Sequence, residues 1–175
     1  MIGQPGCLTD LLALSVLTAK YGRMITPECE IVTTERRPTA VVRIKAKMSG
    51  LREAQQTSRA RLAEVLPSLE VRPLDHSCTL WRPPVDGVLD MEPGVLVSGA
   101  FSPAGDVVPS ELPAGRAAYF LLRGSFEGLP GAWKTLLDWC AAQKLPLAGI
   151  NWEIYGPSED VEPDQIETAL YALLA

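Results

Sequence analysis

Hydrophobic and polar positions along this chain change period several times, and each change marks an element. Residues 8–19, LTDLLALSVLTA, form a long apolar run whose leucines at 8, 11, 12, 14 and 17 fall at helical spacing. The run contains Asp10, is too short to span a bilayer and has no basic stretch ahead of it. It therefore reads as a helix that packs on something, not as a membrane anchor. Residues 30–47 read as a strand pair or one long bent strand, EIVTTE then TAVVRIKAK, broken at Arg37-Pro38. Residues 50–66 read as a helix with Ser49 as its N-cap and Pro67 as its stop, and with Arg52, Arg59, Arg61 and Glu64 on the exposed face. Ser77–Trp81 reads as a short strand ended by Arg82-Pro83-Pro84. Val88–Ala100 gives one or two strands around Pro93-Gly94, and the Pro- and Gly-rich stretch from Ser102 to Pro113 reads as a loop.

The pattern then starts again. Arg116–Arg123 is a strand, and Gly128–Lys144 is a helix with Leu129, Trp133, Leu136, Leu137 and Cys140 spaced at three and four. Asn151–Tyr155 and Ile166–Leu174 are the closing strands. Short matches link the halves in order: Ser49-Gly50-Leu51 aligns with Glu127-Gly128-Leu129, Ala40 with Ala118, and Trp81-Arg82-Pro83 with Tyr155-Gly156-Pro157. Together they predict an internal duplication of strand–helix–strand–strand, with repeats at about 28–101 and 112–175. The expected fold class is α+β. One curved antiparallel sheet carries two helices on one face, with a groove between them, and an N-terminal helix is added. Residues 1–23 read as a helical extension and 24–175 as the domain. The extension admits three roles: an extra helix, a dimer contact, or an upstream start.

Composition narrows the function. The 175 residues carry 21% charged and 47% hydrophobic residues, enough apolar content for one folded core. Up to Leu74 there are 11 basic and 7 acidic residues (+4), and from Asp75 there are 5 and 14 (−9). An acidic second half disfavours nucleic acid and favours cationic ligands, although most of these acids read as solvated loop residues. Cys7, Cys29, Cys78 and Cys140 form no C-x-x-C pair, and His76 is the one histidine, placed in an expected loop. No metal, no cofactor and no Ser-His-Asp or Cys-His nucleophile is therefore expected. Reduced thiols suit a cytoplasmic setting.

One feature stands out chemically. The strand Asn151-Trp152-Glu153-Ile154-Tyr155 places a carboxylate among apolar and aromatic residues, with Tyr155 on the same face. Glu153 either faces solvent or enters a pocket, where it would need partners. In a pocket it would attract an organic cation and gain basicity. Trp152 and Ile154 point to the opposite face, where the N-terminal helix or a partner protomer is expected to cover them. Trp139, on another face of its helix than Trp133, reads as core.

Leu112-Pro113-Ala114-Gly115-Arg116, Tyr119-Phe120, Arg123-Gly124-Ser125-Phe126-Glu127-Gly128-Leu129-Pro130, Ala132-Trp133 and Trp152-Glu153-Ile154-Tyr155 occur in that order. With Leu89-Asp90-Met91-Glu92 and Val95-Leu96-Val97, they resemble the GyrI-like small-molecule-binding domain, from about Glu28 to Leu174. The same domain, of the SOUL/GyrI-like superfamily, serves bacterial AraC- and MerR-type transcription regulators as an effector-binding, multidrug-recognising part. The resemblance implies a groove for amphipathic, aromatic or cationic drugs centred on Glu153, walled by Tyr155, Trp133, Tyr119 and Trp81, with Phe126 and Tyr171 as weaker members. It also implies an alternative. Some members resemble hydrolases that open cyclopropanoid toxins, in which Glu153 would be a general base on water and Tyr155 a proton donor. A third reading is an inhibitory protein-interaction module using the basic first helix. Many relatives carry a second acidic residue where this chain has Ala169, and Glu167 is its expected substitute. About 28 residues precede the domain, too few for a helix-turn-helix unit, so a stand-alone binding protein is expected, as a homodimer or acting through a separate regulatory partner.

Overall fold

Asp86 and Gly87, both at positive φ (51° and 72°), make a two-residue turn between Val85 and Val88. The Asp-Gly pair suits such a turn because it matches the right-handed twist of the flanking strands. The hairpin it closes is the second half of the first repeat. The computed structural model describes residues 28–175. In chain order its strands are β1 (Glu30–Thr34), β2 (Arg37–Val42), β3 (Ile44–Lys47), β4 (Pro73–Val85), β5 (Val88–Val97), β6 (Val107–Leu112), β7 (Gly115–Arg123), β8 (Leu147–Tyr155) and β9 (Glu167–Leu174). The helices are α1 (Leu51–Val65) and α2 (Leu129–Ala142). The expected N-terminal helix and the rest of residues 1–23 lie outside the described residues.

All pairings are antiparallel in a sheet ordered β1-β7-β9-β8-β4-β5-β2-β6, with β3 also on β5. The order is symmetric about the β8–β4 pair. Each repeat runs strand–helix–strand–strand, β2-α1-β4-β5 and β7-α2-β8-β9, as the local matches predict. The register shows the same symmetry. The offset that aligns Trp81 with Tyr155 carries Thr79 onto Glu153, and Thr79 and Glu153 are direct ladder partners. The pseudo-twofold axis therefore passes through that pair.

Each helix begins at the matched leucine, Leu51 or Leu129, after a 3₁₀ turn (Met48–Gly50 or Phe126–Gly128). Ser49 is not the N-cap: it sits inside that turn, and α1 has no side-chain cap. Alternating strand positions place Ala40 and Ala118 on one face, both fully buried, under α1 and α2 respectively. α1 buries Leu62 and Val65 against Val97 and Val107, and α2 buries Ala132, Leu136 and Cys140 against Phe120 and Leu170. Trp139 packs on the second cluster, as its helical position suggests.

The other face is rolled inward. Cys78, Leu80, Leu96, Leu112, Ala117, Trp152 and Ile154 share one buried cluster, to which Val32 of β1 is added. Residues from the centre and both ends of the sheet can meet there only if the sheet curls into an incomplete barrel. The chain path requires the curl. Glu35-Arg36 alone joins β1, at one end of the sheet, to β2 near the other, and Pro113-Ala114 joins β6 to β7 in the same way. Two residues reach only about 7 Å. Across the seam Thr34 Oγ1 lies 3.0 Å from the Pro113 and Gly115 carbonyl oxygens, and Arg36 pairs with Glu111 at 2.8 Å. The expected cover for Trp152 and Ile154 is thus corrected: the domain's own strands enclose them, leaving Trp152 only 1% exposed.

Two further expectations change. β4 runs on through Pro83-Pro84 and includes His76, because the ladder to β5 slips register between Arg82 and Val85, where the prolines' missing N–H groups are not needed. The expected loop from Ser102 to Pro113 contains β6, an edge strand bonded among the described residues only to β2, where Pro109 is tolerated. Among the described residues no helix is long and apolar enough to cross a membrane, and Cys29, Cys78 and Cys140 are free thiols.

Candidate functional site

β4 and β8 form the floor between the two helices, and strand parity sends Thr79, Trp81, Glu153 and Tyr155 up from it on the helix side. Glu153 is only 4% exposed. It is not a solvent-facing carboxylate. Trp133 of α2 donates its indole N–H to Glu153 Oε1 at 2.6 Å, and Trp81 of β4 donates to Oε2 at 3.2 Å. The Tyr155 hydroxyl also donates to Oε2, and it lies 3.3 Å from Thr79 Oγ1. A carboxylate offers about four acceptor positions, and three are used here. All three donors are neutral, and among the described residues no lysine or arginine pairs with Glu153.

Burial, then the charge of Glu153 and the hydrogen bond to it, push the Tyr155 phenol well above its ordinary range, so it stays a proton donor. Two groups cover Tyr155. Phe126, 38% exposed in the turn before α2, meets its ring edge-on at 5.8 Å. Arg59 of α1 lies over the ring, with its guanidinium carbon 5.2 Å from the centroid. Thr168, the ladder partner of Tyr155, is fully buried, and its hydroxyl has no hydrogen-bond partner among the described residues.

Of the predicted wall residues, Tyr155, Trp133 and Trp81 touch Glu153 directly, and Phe126 touches Tyr155. Tyr119 and Tyr171 do not belong with them. Tyr119 pairs with Tyr171, which pairs with Trp152, so all three face the barrel interior, one residue out of phase with Glu153. A one-position change reverses the face of a strand residue. Glu167 does not supply a second acid either. It is half-exposed at the start of β9, bound to Arg123 at 2.9 Å. Arg59 and Thr168 were not legible as site residues. Arg59 reads as an ordinary solvated helix charge, and only the placement of α1 on the sheet brings its guanidinium over Tyr155. Thr79 does carry a signal, its equivalence to Glu153 in the repeat.

A second buried carboxylate sits on the opposite face. Glu92, 1% exposed, accepts from Ser110 at 2.7 Å and from Arg43 and Arg82 at 3.0 Å. Burial opposes its ionisation, but the Ser110 and Arg82 hydrogen bonds and the two guanidinium charges outweigh it and hold the carboxyl below its usual value. The contrast is chemical. Glu92 is neutralised by permanent cations, whereas the Glu153 carboxylate is held by neutral donors, with no ion-pair partner among the described residues. Two arginines of α1 are also occupied within the chain: Arg61 binds Asp106 at 2.7 Å and Glu64 at 2.8 Å, and Arg59 covers Tyr155.

The same architecture occurs in solved structures. The chain is similar to the EcmrR C-terminal domain (12% identity, TM-score 0.71, covering 86% of this chain and 99% of that one). It is similar to SAV2435 bound to tetraphenylphosphonium (12% identity, TM-score 0.64, 85% and 94% covered). It is also similar to a hydrolase from Listeria innocua (13% identity, TM-score 0.53, 91% and 98% covered). At these identities the likeness is one of fold. No curated protein matches the chain. The GyrI-like small molecule binding domain profile matches residues 27–174, both repeats and the Glu153 strand included, and the chain belongs to that family.

Proposed function

We propose that the protein binds an amphipathic organic cation between α1 and α2, against Glu153, with Tyr155, Trp133 and Trp81 as the aromatic wall. One observation carries this reading: a buried carboxylate with only neutral donors and no ion-pair partner among the described residues. Such a charge is costly to bury unless a cation completes it. The indole and phenol donors fix the carboxylate in place. They also occupy most of its acceptor positions, so the site suits a diffuse cation that needs charge and aromatic faces more than hydrogen bonds. SAV2435, of the same fold, holds a cation of that kind, tetraphenylphosphonium. Entry requires Phe126 and Arg59 to move off Tyr155, and both lie at the surface ends of their contacts.

A unit charge about 5 Å from Glu153 gains roughly 3 kcal/mol at an effective dielectric of about 20, before the ligand's own desolvation. Removing the carboxylate should therefore weaken binding about 10- to 100-fold. Titration of tetraphenylphosphonium and of planar cationic dyes against wild type and Glu153→Gln tests this, with near-ultraviolet circular dichroism checking that the variant is folded. Equal affinities would remove Glu153 from the site.

The hydrolase reading has one observation in its favour, the Tyr155 phenol kept protonated beside a carboxylate. Against it, three donors on Glu153 leave little room for a water to give up a proton there. Mass spectrometry after incubation with a cyclopropanoid compound tests this reading: a hydrated product means turnover, and full recovery of unchanged compound excludes catalysis on that substrate.

A further inference from the structure

The incomplete barrel has a mouth. A cleft of about 380 Å³ opens along the seam between the two ends of the sheet and reaches Trp152, Tyr171 and Tyr119. It lies on the opposite face of β8 from Glu153, so the strand that carries the candidate cation site also forms the wall of a second, separate cavity. Barrel mouths are frequent ligand sites, and this volume falls in the range that takes a small organic molecule.

The wall is aromatic and ordered. Trp152 and Tyr171 stack with centroids 4.9 Å apart and planes 5° apart, and Tyr119 continues the row at 5.1 Å from Tyr171. Trp152 is almost wholly buried, while Tyr119 and Tyr171 keep part of their rings accessible. Neither phenol hydroxyl has a hydrogen-bond partner among the described residues. A flat ring entering the cleft would extend the row by offset stacking or edge contact, the arrangements aromatic pairs prefer.

Charge at the mouth decides what the ring must carry. Glu30 and Glu35 line the opening with Arg37, two acids against one base. Neither acid forms an ion pair among the described residues, whereas Arg36 next to them is taken by Glu111. Glu30 is also the ladder partner of Tyr119, which places a carboxylate at the outer end of the aromatic row. We propose that this seam cleft is a second ligand site, taking a planar aromatic amine or amidine whose ring stacks on Tyr171 and Tyr119 and whose cationic end meets Glu30 and Glu35. The proposal does not depend on the Glu153 reading, because the two sites share a strand and no side chain.

Proflavine, a flat diaminoacridinium, is a direct probe. Titrated into the full chain under ¹⁵N–¹H correlation spectroscopy, it should shift amides of residues 30–37 and of Tyr119 and Tyr171. Tyr119→Leu should weaken it about tenfold, the worth of one aromatic pair. Glu30→Gln, at an exposed position that leaves the fold intact, should weaken it a few-fold and reduce its salt dependence. Shifts confined to β4, α1 and α2 around Glu153 would overturn the proposal while leaving the Glu153 reading standing. So would an affinity unchanged in both variants, or the absence of saturable binding.

Discussion

Glu153→Gln is nearly isosteric, yet the hydrogen-bond pattern around Glu153 makes it a demanding change. Each carboxylate oxygen faces an indole N–H, Trp133 on Oε1 and Trp81 on Oε2, and an indole nitrogen only donates. A glutamine has one acceptor oxygen and one NH₂ group, so whichever way it turns, its NH₂ points at an indole N–H. Tyr155 can adapt by rotating its hydroxyl toward Thr79 Oγ1, 3.3 Å away, but the indoles cannot. One indole donor facing a buried side chain is left unpaired, which costs about 1–3 kcal/mol. For a domain of this size each kcal/mol moves the melting temperature by roughly 2–4 °C, so a fall of about 4–8 °C is expected for a mid-range cost. Thermal and urea unfolding in the absence of ligand read it. A double-mutant cycle then identifies the cause. Trp133→Phe or Trp81→Phe, whichever removes the N–H facing the amide, should cost about 1 kcal/mol or more less in the Glu153→Gln background than in wild type. A Glu153→Gln protein as stable as wild type, or full additivity with both indole variants, would refute the reasoning.

Three other outcomes follow from single residues. Burial pushes the Cys78 thiol up to about 12, so it should resist aromatic disulfide reagents at pH 8 in the native state and react only on unfolding. The depressed Glu92 carboxyl contributes stability that is fully present above its unfolded value and is lost as pH falls through its lower folded value; Glu92→Gln should flatten that acid-side loss in a series of unfolding curves. At Gly94, the ladder partner of Val41, a Cβ would lie 2.5 Å from the Ala40 carbonyl oxygen, so Gly94→Ala should destabilise by about 1–3 kcal/mol in denaturant unfolding.

Much of the fold is legible because both helices and most strands carry their own period. Leu129, Leu136 and Cys140 define a helical stripe wherever the helix is placed, and the duplicated Gly-Leu and Trp/Tyr-x-Pro signals order the repeats. β6 escaped that reading because an edge strand needs only one partner, so Pro109 and Ser110 can stand where a central strand would exclude proline. Trp152 and Ile154 were readable as facing away from Glu153, but not what would cover them. The cover comes from β1 and β6, brought round by two-residue links whose effect depends on the whole strand order.

The same division holds at the candidate site. Sequence alone determined that Glu153 and Tyr155 share a face and that Thr79 is the counterpart of Glu153, because strand alternation and a fixed repeat offset are local properties. Only the tertiary structure decided that Glu153 is buried, that two indoles and a phenol hold it with no cation among the described residues, and that Tyr119 and Tyr171 belong to another cavity. Those outcomes depend on how β4 meets β8, where α1 and α2 lie on the sheet, and how far the sheet curls. These are long-range relations between elements, and no window of sequence contains them.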